Sequence, residues 1–184
     1  TKVHFENTRL GITRDNIVSI TTKDGKVVNS THSLNVKAKN YTKVVTRVMS
    51  VNEDGSRDVV FDSTTTWTDG GKKEVHRTKE IGADGKGAGT GTIKITNKAG
   101  EVKEFKTNSD ITVTNMGKPE EKAQEATTAI DPTTNVEVKV TEQEDGNATA
   151  EVKEEGKVTE TAPVNVEQAV ELSANSEIGA TTAV

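Results

Sequence analysis

The sequence predicts an all-β protein, a long-stranded antiparallel up-and-down meander followed by a smaller C-terminal β region. Glycines recur 15 or 30 residues apart, four of the five follow aspartate, and the runs between them are rich in Thr and Val. Asp-Gly between such runs is a strong hairpin signal, because glycine adopts positive φ without steric penalty. The five glycines are Gly25, Gly55, Gly70, Gly85 and Gly100.

Turns at this spacing leave strands of about 11–12 residues, so residues 12–114 form one long meander. A glycine is missing from the 15-residue series at position 40, which is Asn40. We predict a two-residue loop at Asn40-Tyr41. The stretch around His4 supplies a first strand that turns near Gly11. Residues 1–117 therefore contain about eight strands.

The loop type predicts the register of the strands. Each glycine turn fits a three-residue loop that closes with glycine in the αL conformation. The resulting register places the apolar residues on one face, which must be covered by closing into a barrel, folding into a sandwich, or packing against the C-terminal third or another subunit. The predicted neighbours are Ile20 with Val28, Ile12 with Val36, Val36 with Val45, Met49 with Val59, Ser63 with Val75, Val75 with Ile93, and Ile93 with Phe105.

The composition changes after Gly117, where aromatic residues disappear. Pro119 and the acids after it suit a first helical turn, so residues 118–132 are predicted to be a linker or short helix. Residues 133–172 alternate apolar and polar side chains and are predicted to be additional strands, with a helix as the alternative for 165–172. Residues 173–184 are predicted to be a flexible tail.

The composition also limits the classes of function. Hydrophobic residues make up 30% and aromatic residues 3% of the chain, so any core is thin. The net charge of −5 argues against a general attraction to nucleic acid, and the lack of cysteine excludes disulfides. No apolar run approaches the roughly 20 residues of a membrane helix. The chain starts with Thr1 instead of Met, which favours a removed signal peptide and a secreted or cell-surface protein.

No residue pattern predicts catalysis, a metal site or a cofactor. His4, His32 and His76 lack ligand-like spacing. The glycine-rich stretch 85–91 does not match a phosphate loop, because no Lys-Ser/Thr pair follows it. We interpret it as a strand that gives up side-chain volume to a neighbour or a bend. The acidic turns lack the order of an EF-hand loop, and weak calcium binding at paired turns remains an alternative.

One polar cluster interrupts the apolar face. Arg47, Arg77 and Lys79 fall on this face, and both arginines lie across from Phe61. Inward charges are unfavourable unless they are paired or bind something. Either this part of the face is open to solvent with the arginines stacked on Phe61, or the four residues bind an anionic ligand.

The run 164–172 is predicted to be a self-assembly strand. Pro163 suits the entry to a strand, and the edge of an open sheet accepts an added strand. The alternative is pairing with the chain's own sheet. The apolar side of the run consists of Val164, Val166, Val170 and Leu172.

Together these features predict a non-enzymatic extracellular structural protein, a surface, matrix or filament subunit that self-associates through β-strand pairing. Its expected partner is a second copy of the chain, with no nucleic acid, membrane span or cofactor. The alternative is an up-and-down β-barrel carrier that binds a small anionic amphiphile near Arg47, Arg77 and Lys79, because an eight-stranded barrel can hold one small ligand.

Overall fold

A computed structural model describes residues 1–7, 11–142, 148–154 and 157–164. Within these ranges twelve strands form one antiparallel sheet, in which each strand lies beside its neighbours in the chain. The all-β fold class and the eight strands expected within residues 1–117 are confirmed. The strands are β1 Lys2–Asn7, β2 Ile12–Lys23, β3 Lys26–Lys37, β4 Tyr41–Val51, β5 Arg57–Trp67, β6 Lys72–Ile81, β7 Lys86–Thr96, β8 Val102–Thr114, β9 Lys122–Ile130, β10 Glu137–Glu142, β11 Ala148–Glu154 and β12 Lys157–Val164.

Four of the five glycine turns have the predicted form. Gly55, Gly70, Gly85 and Gly100 have φ between 80° and 94°. Each of these glycines donates its N–H to the carbonyl three residues earlier, at 2.9–3.1 Å. The predicted register is therefore confirmed from β4 to β8, where the pairs are Met49 with Val59, Ser63 with Val75, Val75 with Ile93, and Ile93 with Phe105.

The turn at Gly25 differs from the prediction. Asp24 also adopts positive φ (52°, beside 76° for Gly25), so the loop has two residues, as in a type I′ turn. A β-bulge follows and leaves Val28 without a partner on β2. The predicted pairs of Ile20 with Val28 and of Ile12 with Val36 are therefore wrong. The observed pairs are Lys23 with Lys26, Ile20 with Ser30, and Arg14 with Val36.

The turn between β3 and β4 also lies one residue earlier than predicted. Ala38 donates its N–H to the carbonyl of Tyr41 at 2.9 Å, so the loop is Lys39-Asn40. Tyr41 thereby becomes a strand residue opposite Trp67, and both aromatic side chains are half-buried. Keeping Tyr41 out of the loop buries apolar surface, which is scarce in this chain. Consequently Val45 faces Leu34 instead of Val36, and Val36 faces Lys43.

Two expectations about the C-terminal third are also wrong. Residues 118–132, predicted as a linker or short helix, contain β9, which pairs with β8 on one side and β10 on the other. The exposed edge of β8 supplies backbone partners that outweigh the weak helix signal. Pro163 does not start a new strand but lies inside β12, where it is opposite Thr149. Proline is tolerated there because β12 is the outermost of the described strands.

The sheet has an inner and an outer face. The inner face carries Val45, Val59, Ile93 and Phe105, whose exposed fractions are 8%, 3%, 1% and 4%. From Glu104 to Thr114 on β8, outer and inner residues alternate strictly between exposed and buried. The predicted segregation of apolar residues therefore holds in its main features from β4 to β8, with Val44, Val60 and Val102 as exceptions that are exposed on the outer face.

Two long-range contacts require the sheet to curl around its inner face. Lys79 on β6 forms an ion pair with Glu125 on β9, although three strand spacings in a flat sheet amount to about 14 Å. Arg57 on β5 donates from Nη1 and Nη2 to the two carboxylate oxygens of Glu121, after β8, at 2.7 and 2.8 Å. β1 and β12 do not pair with each other, so the described strands form an open curled sheet instead of the barrel considered above.

Candidate functional site

A cluster of charged side chains lies on the inner face between β6 and β9. Lys79 donates a short hydrogen bond to Glu125 Oε2, and Thr127 Oγ1 donates to Glu125 Oε1 at 3.1 Å. Both charged partners are largely buried, with exposed side-chain fractions of 20% for Lys79 and 17% for Glu125. We call Arg77, Lys79, Ser109, Glu125 and Thr127 the inner charge cluster.

The glycines of β7 make room for this cluster. Gly89 lies opposite Lys79 and Gly91 lies opposite Arg77, both on the inner face. A Cβ at Gly91 would lie 2.2 Å from the backbone oxygen of His76 and 2.8 Å from Arg77 Cγ. Because Gly89 and Gly91 have no side chains, β6 can approach β7 closely. The cations of β6, Arg77 and Lys79, can then extend across β7 toward β8 and β9. This confirms the interpretation of the glycine-rich stretch as a strand that gives up volume to a neighbour.

The Glu125 carboxyl is held in its charged form. Burial, the largest single influence, would raise the pKa of Glu125, and the hydrogen bond and positive charge of Lys79 oppose it. A hydrogen bond from Ser109 and the charge of Arg77 act in the same direction, so the pKa lies below its ordinary value. The cluster therefore combines two cations, Arg77 and Lys79, with one carboxylate that is held in its charged form.

The four residues predicted to bind an anion are neighbours, but they are not equivalent. Phe61 on β5 lies between Arg47 on β4 and Arg77 on β6, as the register predicted. Arg47 is exposed. Hydrogen bonds from Arg57 lower the pKa of Glu121, and the charge of Arg47 contributes to the same shift. Any external anion at Arg77 and Lys79 would have to compete with the Glu125 carboxylate.

Glu125 was missed in the sequence because it lies in the segment predicted as a linker or short helix. Apolar and polar residues do not alternate along 122–130, so no strand period marks Glu125 in the sequence. The available signal was indirect: inward cations on β6 require a nearby anion, and Glu125 is the inner-face acid that β9 supplies.

An open groove of about 550 Å³ lies at the other end of the inner face, on β1 to β4. Its lining is mainly apolar, and Arg14 and Lys43 add two cations. Val3 and Phe5 on its rim are 54% and 52% exposed. Unlike the centre of the sheet, this region leaves apolar side chains in contact with solvent. The groove is lined by Val3, Phe5, Ile12, Arg14, Asn16, Leu34, Val36, Tyr41 and Lys43.

The outer edges of the described sheet are β1 and β12, each of which pairs with one described strand. Val164, the first residue of the predicted self-assembly strand, is the last residue of β12 and lies opposite Ala148. Val166, Val170 and Leu172 lie outside the described residues, as does the tail 173–184. The assembly strand thus remains a prediction.

Within the described ranges, no group of three or more His, Cys, Asp or Glu side chains is placed to hold a metal ion. The same part of the chain contains no helix that is long and apolar enough to cross a membrane. Comparison of the chain with protein-family models, with curated proteins and with solved structures found no match.

Proposed function

We propose that the protein is a non-enzymatic structural subunit of a surface, matrix or filament outside the cell, and that it self-associates through β-strand pairing. The observation that carries this proposal is the open sheet, in which the outermost described strand β1 presents one row of backbone groups to a further strand. An exposed edge of this kind is a template for pairing with another chain.

The sequence of β1 supports the proposal. Proteins that avoid edge pairing often protect an edge strand with proline, a bulge or charged side chains, above all lysine. β1, Lys2–Asn7, contains no proline, and its pairing with β2 has no bulge. Its charged residues Lys2 and Glu6 have opposite signs, so they can attract the same residues of a second copy. The thin core and the absence of a predicted catalytic set also favour a structural role over an enzymatic one.

Light scattering over a concentration series, followed by negative-stain imaging, tests self-association. We expect the mean mass of the chain 1–184 to rise with concentration and elongated particles to appear. A constant monomeric mass up to millimolar concentration would contradict the proposal.

Deletion of residues 165–184 tests whether the C-terminal run takes part. This deletion leaves β12 intact, so the circular dichroism of the sheet should be retained. If the run is an assembly strand, the truncated protein loses its large particles and binds an added peptide of residues 164–172. Large particles that persist unchanged would assign assembly to other parts of the chain.

The groove on β1 to β4 favours a second candidate function, the binding of a small anionic amphiphile. Arg14 can pair with an acidic head group, while Leu34 and Val36 can contact an acyl chain. In this candidate function the ligand would bind in the groove on β1 to β4, and not near Arg47, Arg77 and Lys79 as expected from the sequence.

Titration with a fluorescent long-chain carboxylate tests the second candidate. We expect saturable binding that weakens about tenfold in Arg14→Glu, because a head-group ion pair is replaced by repulsion. Lys106→Glu is the matched control, since it makes the same charge change on the exposed outer face of β8. Equal binding by both variants, or no binding by the parent protein, would exclude this function.

A further inference from the structure

The backbone groups that β1 presents at the open edge can be identified from its pairing with β2. The N–H of Val18 donates to the carbonyl of Thr1 at 2.8 Å, and the terminal ammonium of Thr1 donates back to Val18 at 2.6 Å. Hydrogen-bonded pairs alternate along antiparallel strands, so Val3 and Phe5 also direct their backbone groups at β2. The backbone groups of Lys2, His4 and Glu6 therefore point away from β2 toward the edge.

We propose that this edge pairs with the same edge of a second copy, antiparallel about a two-fold axis that passes between the two His4 residues. The inference rests on the proposed self-association and specifies its site and register. In this register Lys2 lies opposite Glu6 of the second copy, and Val3 lies opposite Phe5 of the second copy. A two-fold contact requires such self-complementarity, because both copies use the same surface.

The backbone geometry is consistent with this register. Each outward-pointing residue meets an outward-pointing residue, so three residue pairs exchange about six hydrogen bonds. A shift by two residues would leave one of the three outward residues of β1 without a partner. A parallel arrangement in register would instead place each charge beside its own copy.

The side chains are complementary on both faces of the contact. On the outer face, Lys2 and Glu6 form two ion pairs related by the axis. Their neighbours on β2, Ile17 and Thr13, carry no charge that competes with them. His4 is already paired with Asp15 Oδ1 of its own chain, at 2.6 Å.

On the inner face, the contact covers apolar surface that the single chain leaves in solvent. Val3 and Phe5 are 54% and 52% exposed, and both lie on the rim of the groove. Across the axis, Val3 of each copy packs against Phe5 of the other copy. The grooves of the two copies then become continuous. The contact joins two twelve-stranded sheets edge to edge and leaves a β12 at each far end.

Cysteine cross-linking tests the register directly, because the natural chain contains no cysteine. His4→Cys should form a disulfide-linked dimer under mild oxidation, since directly opposite residues lie about 5.5 Å apart between Cα atoms. Lys2→Cys should not cross-link to itself, because the two copies of residue 2 are about 13 Å apart along the strands. A mixture of Lys2→Cys and Glu6→Cys should cross-link.

Charge reversal provides an independent measurement. Lys2→Glu alone and Glu6→Lys alone should each raise the dimer dissociation constant about tenfold, because each creates two like-charge contacts. The double variant, and an equimolar mixture of the two single variants, should recover the parent affinity. Lys106→Glu controls for the change in net charge and should leave the affinity unchanged.

The outcomes separate this inference from the proposed function. If the parent protein self-associates but His4→Cys does not cross-link and the charge reversals have no effect, the β1 register is wrong and self-association stands. If a cross-linked dimer forms without larger particles, the register stands and the filament function fails. A parent protein that stays monomeric overturns both.

Discussion

The N-terminal and central parts of the sheet share an alternation of apolar and polar residues but differ greatly in burial. On β7 and β8, Ile93 and Phe105 are 1% and 4% exposed, whereas Val3 and Phe5 on β1 are more than half exposed. All four residues lie on the inner face, and all belong to strands that alternate apolar and polar side chains. Alternation therefore determines which face a residue occupies, but not whether that face is covered.

The difference arises from the curl of the central strands. Gly89 and Gly91 let β6 approach β7, and ion pairs from Arg57 and Lys79 connect β5 and β6 to the region around β9. On β1 to β4 the inner face instead lines the open groove. The central part is thus covered by its own curvature, and the N-terminal part is left as an open groove.

The largest effect that distinguishes the two regions is expected from truncating an inner-face side chain in each. Ile93→Ala should lower the free energy of unfolding by about 4 kcal/mol, because it leaves a cavity among Val75, Ile95 and Phe105. Phe5→Ala should lower it by less than about 1 kcal/mol, since the ring is already 52% exposed. Urea unfolding of dilute, monomeric protein measures both. Equal losses would mean that the N-terminal groove is covered in solution.

A Cβ in the glycine strand should have the next largest effect. Gly91→Ala should cost about 3 kcal/mol, because the added atom overlaps the backbone oxygen of His76 and forces β6 away from β7. Thr90→Ala, on the exposed outer face of the same strand, is the matched control and should change stability by less than about 0.5 kcal/mol. If Gly91→Ala is as stable as the control, the close approach of β6 and β7 does not exist.

The smallest effect concerns the inner charge cluster and depends on pH. Glu125→Gln should cost about 2 kcal/mol at pH 7, because it leaves Lys79 with a neutral partner in a largely buried position. The pKa of Glu125 is lowered in the folded protein, so its contribution is complete above the unfolded value of about 4.3 and is lost as pH falls through the folded value.

The stability difference between the parent and Glu125→Gln should therefore shrink below about pH 4. Urea unfolding at several pH values measures this difference. Glu104→Gln on the exposed outer face of β8 serves as the control, and it should show little difference at any pH. If the difference in free energy of unfolding between the parent and Glu125→Gln grew as the pH fell, the pKa of Glu125 would be raised in the folded protein, and not lowered.

Turn chemistry allowed most of the fold to be predicted from the sequence. Gly55, Gly70, Gly85 and Gly100 each determine a loop of known length, and a known loop length determines register. The same reasoning failed at Gly25, because Asp24 also adopts positive φ and shortens the loop. The inner face is nevertheless kept, because the β-bulge that leaves out Val28 adds a second residue to the shift, and a register that differs by two residues preserves the faces.

The charge cluster could be predicted only in part. The register placed Arg77 and Lys79 on the inner face, and the unfavourable energy of an unpaired inward charge indicated that a partner exists. The partner was not found, because Pro119 and the following acids favoured a helix or linker over the strand that carries Glu125. The curl that brings β9 toward β6 depends on many small interstrand rotations, which no local pattern in the sequence encodes.

The strictly sequential order of the strands has a consequence for how such a chain can change in length. Every described strand pairs only with its neighbours in the chain, so a hairpin of about 30 residues is a complete unit of the sheet. Removing or duplicating one hairpin leaves the flanking strands antiparallel and their apolar residues on the same face. Gene duplication can therefore lengthen or shorten the sheet one hairpin at a time without a new fold, much as repeat proteins gain and lose units.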